Sequence, residues 1–137
     1  MFCTVCYTIL DLATGRVISA NAGHPAPVHL DRTGKARSLE LASGPPLGIS
    51  AKAHWADSEW NIAPGDTVLL YTDGIVEART HEARGEFGIE KLCRVLSDQQ
   101  GRPPKGLIEF LSGQVDGHCH PSAPHDDCTM IAVKYLG

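Results

Sequence analysis

Carboxylates stand at the ends of two strand-like segments of this 137-residue chain. The segment 67–72 is rich in strand-forming residues and ends at Asp73-Gly74, and Asp126-Asp127 stand directly before a second such segment, 128–133. Carboxylate oxygens are the ligands that Mg²⁺ and Mn²⁺ prefer, and a strand end holds them more rigidly than a free loop does. The two segments therefore predict a metal site, although Asp-Gly after a strand is also a common turn signal.

The elements that must position these carboxylates come in blocks. Strand patterns precede residue 73, two amphipathic helical patterns follow, and one strand closes the chain. Such segregation indicates an α+β architecture with antiparallel sheets, and the nearly continuous apolar run at 67–72 indicates a strand buried on both faces. No repeat or linker interrupts the chain, so 1–137 is expected to be a single domain. We predict strands at 2–12, 16–21, 28–30, 36–41 and 67–72, a segment of mixed faces at 54–62, a rigid loop at 43–48, one helical turn at 75–79, helices over 89–96 and from 107 to near 117, and a last strand to 135.

Composition excludes several classes of protein. The formal net charge is −4 and no basic cluster is longer than a pair, which argues against a nucleic-acid surface. No apolar run approaches the roughly 20 residues of a membrane span. The first seven residues lack the basic region and cleavage site of a secretory signal. Five scattered cysteines favour reduced thiols and a cytoplasmic location.

Seven short motifs in order along the whole chain resemble one protein family. They match the C-terminal part of a PPM-type metal-dependent protein serine/threonine phosphatase, in the SpoIIE- and RsbU-like branch. Each motif alone is weak, whereas seven in register are specific to the family. The motifs are F-x-T-x-x-Y-x-x-L-D from Phe2 with Thr14-Gly15, N-A-G-H-P from Asn21, G-x-P-L-G from Gly44, P-G-D from Pro64, Y-T-D-G-I-x-E-A from Tyr71, F-G at Phe87, and D-D-x-T from Asp126.

The resemblance implies a PPM-phosphatase-like antiparallel β-sandwich flanked by helices, with Mn²⁺ or Mg²⁺, two per complete site, at one end of the sheets. Paired cations activate a water and stabilise charge on the transferring phosphoryl group. By the same match Asp73 and Asp126 are metal ligands. Gly74 and Asp127 are further candidates, and Asp127 either binds through a water or caps its loop. His24 either belongs to a substrate or phosphate loop or is a turn histidine bonded to backbone.

One family motif is absent from this sequence. Relatives carry Asp-x-x-Gly-His-Gly, whose Asp bridges both metals, whereas Gly23-His24 has no nearby preceding Asp. We therefore expect the N-terminal part of the domain to be missing and the chain alone to be weakly active or inactive. Uncovered sheet edges in such a partial sandwich predict dimerisation.

The activity that the resemblance implies is hydrolysis of phosphoserine or phosphothreonine on a regulatory protein, specifically a STAS-type anti-sigma-factor antagonist. The alternative is a non-catalytic, truncated phosphatase module acting in binding or assembly, because the bridging Asp motif is missing.

Three further features carry competing interpretations. Glu77 lies four residues after Asp73, so it either faces a metal-bound water or is a surface residue near a helix start. The loop at 44–48 either shapes a substrate rim or is a stiff connection. The last feature is a group of possible zinc ligands, whose spacing is unfavourable. The group comprises His118, Cys119, His120, His125 and Cys128.

Overall fold

A computed structural model of the chain describes residues 1–79, 85–121 and 126–137. Within these ranges the strands form two four-stranded sheets, and helices cover one face of the second sheet. The first sheet contains β1, β2, β5 and β6, and the second contains β3, β4, β7 and β8. The strands are β1 (Val5–Leu10), β2 (Arg16–Ala22), β3 (Val28–Leu30), β4 (Ala36–Ser38), β5 (Ser43–Gly44), β6 (Asp57–Asn61), β7 (Thr67–Tyr71) and β8 (Met130–Lys134).

The first sheet is built around β2. It pairs antiparallel with β1 and β6 and parallel with the short β5. The two strands predicted at the start of the chain are present and form a hairpin. Its turn is closed by the Asp11 carboxylate, which accepts hydrogen bonds from the Thr14 hydroxyl (2.7 Å) and the Ala13 amide (2.9 Å). The rigid loop predicted at 43–48 begins with a two-residue strand. Ser43 and Gly44 still pair with β2, because the amide-lacking prolines begin only at the next residue.

The second sheet runs in the order β4-β3-β7-β8, and all its pairings are antiparallel. The central strand β7 is buried on both faces except at the partly exposed Leu70, which confirms the two-face prediction. Tyr71 of β7 lies opposite Met130 of β8. This pairing brings the segment after β7 and the segment before β8 to the same end of the sheet.

Three helices complete the described structure: α1 (Asp73–Val76), α2 (Ile89–Leu96) and α3 (Pro104–Cys119). The helical turn predicted at 75–79 begins two residues earlier, at Asp73. The end predicted near Gly117 for the last helix is wrong, because Cys119 is fully buried in the core and the His120 amide still bonds to the Asp116 carbonyl at 2.9 Å. None of the helices in the described ranges is long and apolar enough to cross a membrane.

Candidate metal centre

A direct contact joins the segment after β7 to the segment before β8. The Thr72 hydroxyl donates to the Asp127 carbonyl (2.9 Å) and accepts from the Thr129 amide (3.0 Å), and the Thr72 amide donates to the Thr129 carbonyl (3.1 Å). A Cβ added to Gly74 would lie 2.7 Å from the Asp127 carbonyl oxygen, so only glycine allows this approach. The backbone therefore brings Thr72 and Gly74, the two neighbours of Asp73, against the Asp126-Asp127 segment.

The side chains of Asp73 and Asp126 are both exposed. Each accepts one local hydrogen bond: Asp73 Oδ1 from the Gly74 amide (3.0 Å) and Asp126 Oδ1 from the Asp127 amide (2.8 Å). Their other oxygens accept no bond from the described residues. These free carboxylate oxygens match the ligand chemistry of Mg²⁺ and Mn²⁺. Residues 1–79, 85–121 and 126–137 contain no group of three or more His, Cys, Asp or Glu placed to hold a metal. The described protein ligands are thus fewer than a tightly held ion needs.

A cavity of about 330 Å³ opens beside Asp126 and Gly74, the residue that follows Asp73. Glu77 lines this cavity, whereas Asp73 is not among its lining residues, so a contact of Glu77 with a metal-bound water stays a prediction. Arg79 is not predicted from the sequence; the available signal is a cation directly after the motif that runs from Tyr71 to Ala78. The lining residues are Gly74, Glu77, Ala78, Arg79 and Asp126.

The carbonyl of Gly74 already has a partner. It accepts a hydrogen bond from the Cys128 thiol, with an Sγ–O distance of 3.3 Å. Burial raises the pKa of this thiol, and nearby Cys119 and Asp116 raise it further, as do the two aspartates just before Cys128. A raised pKa keeps the sulfur protonated and able to donate. Gly74 thus contributes a close backbone approach, and its role as a metal ligand stays a prediction.

His24 lies in a turn held by a side chain of β2. Asn21 Oδ1 accepts from the His24 amide and Asn21 Nδ2 donates to the His24 carbonyl, both at 2.9 Å. The His24 ring contacts the Thr4 hydroxyl at 3.2 Å through Nδ1. Since Val28 pairs with Leu69, this turn lies at the same end of the second sheet as Asp73. His24 does not line the cavity beside Asp126, and its phosphate-loop role stays a prediction.

The loop at 44–48 is held against Trp55, whose indole N–H donates to the Pro45 carbonyl at 2.9 Å. A Cβ at Gly44 would lie 2.5 Å from the Trp55 ring. The interpretation of this loop as a stiff connection therefore has a physical basis.

The possible zinc ligands do not form a site within the described residues. Cys119 is buried in α3, and His118 Nδ1 accepts from Lys91 Nζ at 2.8 Å while the His118 ring packs edge-on against Phe87. His125 lies outside the described residues. All five cysteines are free thiols in the structure.

Comparison with known proteins places these features in a family. Residues 1–136 match the family described as Stage II sporulation protein E (SpoIIE). Protein IcfG of Synechocystis sp. is 29% identical over 133 residues, which cover 97% of this chain and 20% of IcfG. Phosphoserine phosphatase RsbP of Bacillus subtilis is 33% identical over 76 residues, which cover 56% of this chain and 19% of RsbP.

Solved structures share the fold. The SiaA-PP2C domain of Pseudomonas aeruginosa superposes with a TM-score of 0.80 at 19% identity, over 93% of this chain and 50% of that one. The Mn-presoaked phosphatase domain of SpoIIE from Bacillus subtilis gives a TM-score of 0.74 at 20% identity, over 98% and 56%. The predicted α+β, PP2C-like fold is confirmed, and this chain spans about half of each of these solved chains. Because the family match extends over nearly every residue, the chain belongs to the SpoIIE family.

Proposed function

We propose that residues 1–137 form part of a metal-dependent protein serine/threonine phosphatase domain and supply two of its metal ligands, Asp73 and Asp126. The observation that carries this proposal is the contact between the two segments, in which Thr72 and Gly74 hold the Asp126-Asp127 backbone. The exposed Asp126 lines a cavity that also contains an arginine, and the exposed Asp73 directly precedes its lining residue Gly74. Carboxylate ligands, a cation and an open cavity are what phosphoryl transfer by a metal-activated water requires.

Mn²⁺ and Mg²⁺ both suit these ligands, and either ion, when bound, lowers the pKa of a water and neutralises charge on a phosphoryl group. The solved SpoIIE phosphatase domain soaked with Mn supports this choice of cation. Asp73 and Asp126 hold the ion, and Thr72 fixes the distance between their backbones. Asp127 contributes its carbonyl to that contact, and Gly74 allows it.

The proposed substrate is a phosphoserine or phosphothreonine on a regulatory protein in the cytoplasm, specifically a STAS-type anti-sigma-factor antagonist. The name phosphoserine phosphatase for RsbP supports the phosphoserine part of this proposal. The family motifs and their resemblance to the RsbU-like branch support a role in partner switching.

Calorimetric titration of the 137-residue chain with Mn²⁺ tests the ligand assignment. We expect Asp73→Asn and Asp126→Asn each to weaken Mn²⁺ binding by at least about tenfold, because each replaces a charged carboxylate that binds the metal directly. Turnover of a phosphoserine peptide, where measurable, should fall more than about 100-fold, since the metal supplies several kcal/mol of transition-state stabilisation.

Asp57→Asn is the matched control, because Asp57 is an exposed carboxylate on β6 in the other sheet. It should leave both readouts unchanged, and circular dichroism should show the same fold in all variants. Mn²⁺ binding that is indifferent to Asp73 and Asp126 would overturn the assignment.

A non-catalytic binding or assembly module is the second candidate. It is favoured by the small number of described protein ligands and by the absence of an Asp-x-x-Gly-His-Gly motif from the sequence. Weak binding of a single Mn²⁺ without measurable turnover would support it, whereas two tightly bound ions with turnover of the phosphopeptide would exclude it. Association of two copies through uncovered sheet edges also belongs to this proposal.

A further inference from the structure

Two exposed Arg–Glu pairs in the structure differ in how many guanidinium nitrogens donate to the glutamate. Arg16 donates from Nε and Nη2 to both carboxylate oxygens of Glu59, at 2.6 and 2.7 Å. Arg79 donates only from Nη2 to one oxygen of Glu86, at 2.7 Å. A guanidinium carries five N–H donors in a planar fork. Arg79 therefore retains donors that no described residue uses.

The backbone around Arg79 is held firmly beside the cavity. Arg79 forms an isolated antiparallel bridge with Glu86. The Phe87 amide donates to the Ala78 carbonyl (2.7 Å) and the Gly88 amide to the Val76 carbonyl (2.8 Å). Ala78 and Phe87 are buried in the core under the helices. The backbone of residues 76–79 is thus anchored to residues 86–88, which limits the backbone entropy lost when Arg79 binds a ligand.

The carboxylates around the cavity repel a phosphate, so a phosphate can bind there only if a cation also contacts it. Glu77 and Asp126 line the cavity, and Arg79 is the one basic residue among the described lining residues. Carboxylates repel a phosphate dianion, whereas a guanidinium donates two parallel hydrogen bonds to phosphate oxygens. A single surface bond to Glu86 is weak enough to be exchanged for that pair.

We propose that Arg79 binds the phosphoryl oxygens of a phosphomonoester in the cavity beside Asp73 and Asp126, releasing Glu86 as it does so. This inference rests on the proposed phosphatase function and adds to it the residue that holds the substrate's phosphate. Arg79 binds the anionic end of a phosphoserine or phosphothreonine side chain, and Asp73 and Asp126 remain available to hold the metal ion.

Binding of inorganic phosphate to the full 137-residue chain, measured by calorimetry with and without Mn²⁺, tests the proposal. Arg79→Gln should weaken phosphate binding about tenfold or more, because it removes charge-assisted bonds. Arg79→Lys keeps the charge but not the fork, and a loss of about threefold is expected. Arg16→Gln removes an equally exposed arginine that lies outside the cavity and should change nothing.

The outcomes separate the two proposals. Undetectable phosphate binding by the unmodified chain, unchanged phosphate affinity in Arg79→Gln, or an equal loss in Arg16→Gln would each overturn the role of Arg79. Mn²⁺ affinity should be unchanged in Arg79→Gln, since Arg79 is no metal ligand. Phosphate binding that depends on Arg79 without any phosphopeptide turnover would leave the phosphate site standing and reject the hydrolase. Turnover of the phosphopeptide with an unchanged KM in Arg79→Gln would leave the hydrolase standing and reject the role of Arg79.

Discussion

The two sides of the second sheet are packed very differently. Among the residues that the structure describes, the core between this sheet and the helices contains twelve buried residues, whereas the cluster between the two sheets contains four. Strand β7 contributes to both: Leu69 and Tyr71 lie in the helix-covered core, and Val68 lies between the sheets. Alternate residues of one strand therefore occupy a closed environment and an open one, and stability is expected to be concentrated on the helical side.

Open space and exposed apolar side chains mark the region between the sheets. A cavity of about 370 Å³ lies there, lined by residues such as Leu10, Trp60 and Val133. On the edge strands β1 and β8, Tyr7 is 64% and Ile131 57% exposed. Apolar edge-strand side chains of this kind favour association with another chain.

The two sides should differ most in the free energy of unfolding that is lost when a leucine is replaced by alanine. Leu111→Ala truncates a fully buried side chain of α3. It should lower the free energy of unfolding by about 3 kcal/mol, because it leaves a cavity in a closed core. Leu70→Ala, in a partly exposed side chain between the sheets, should cost about 1 kcal/mol, because water already reaches the site. Urea denaturation measures both values, and equal costs would show that the two regions are equally closed.

A polar pair stabilises the sparsely packed side. Asp66 Oδ2 accepts from His29 Nε2 (2.8 Å) and from the Ala63 amide (2.9 Å), and Oδ1 accepts from the Arg32 amide (2.8 Å). His29 pairs with Val68, and its ring centroid lies 6.2 Å from that of Trp60, so it faces the space between the sheets. Asp66→Asn replaces one acceptor by an NH₂ donor and should cost about 2 kcal/mol at neutral pH.

This carboxylate also makes stability depend on pH. Burial by itself raises the pKa of Asp66, but the bonds from Ala63, His29 and Arg32 outweigh it and hold the pKa below 3.8. A folded-state pKa below the unfolded one contributes stability above the unfolded value of about 3.9, and this stability is lost as pH falls through the folded value. Urea midpoints measured between neutral and strongly acidic pH should show this loss in the unmodified chain and in Asp57→Asn. Retention of the same acid-induced loss in Asp66→Asn would contradict the assignment.

The smallest expected effect concerns self-association. The exposed edge should let the unmodified chain dimerise at high concentration, and Ile131→Lys combined with Val133→Lys should weaken dimerisation about tenfold, because lysine on an edge strand opposes pairing. Light scattering over a concentration series measures this. Leu12→Lys, which changes an even more exposed apolar residue of the first hairpin turn, should not alter dimerisation. A monodisperse monomer at every concentration would show that the open side does not self-associate.

Sequence reasoning identified most elements because their signals are local. The nearly continuous apolar run of 67–72 and the amphipathic period of 89–96 predict β7 and α2 with only small errors at the ends. The errors arose where a distant contact decided the outcome. β5 forms only because β2 offers a partner, and α3 continues to Cys119 because the core buries that residue.

The sequence by itself determined the family, the α+β class and the choice of Asp73 and Asp126, since motifs, period and side-chain chemistry are all properties of short segments. Only the tertiary structure decided that β8 pairs with β7, which brings Thr72 within 2.9 Å of the carbonyl of a residue 55 positions away. It also decided that Arg79 shares a cavity with Asp126 and that one face of the second sheet is closed and the other open. These features depend on pairings between remote segments, whose free energies local patterns do not encode.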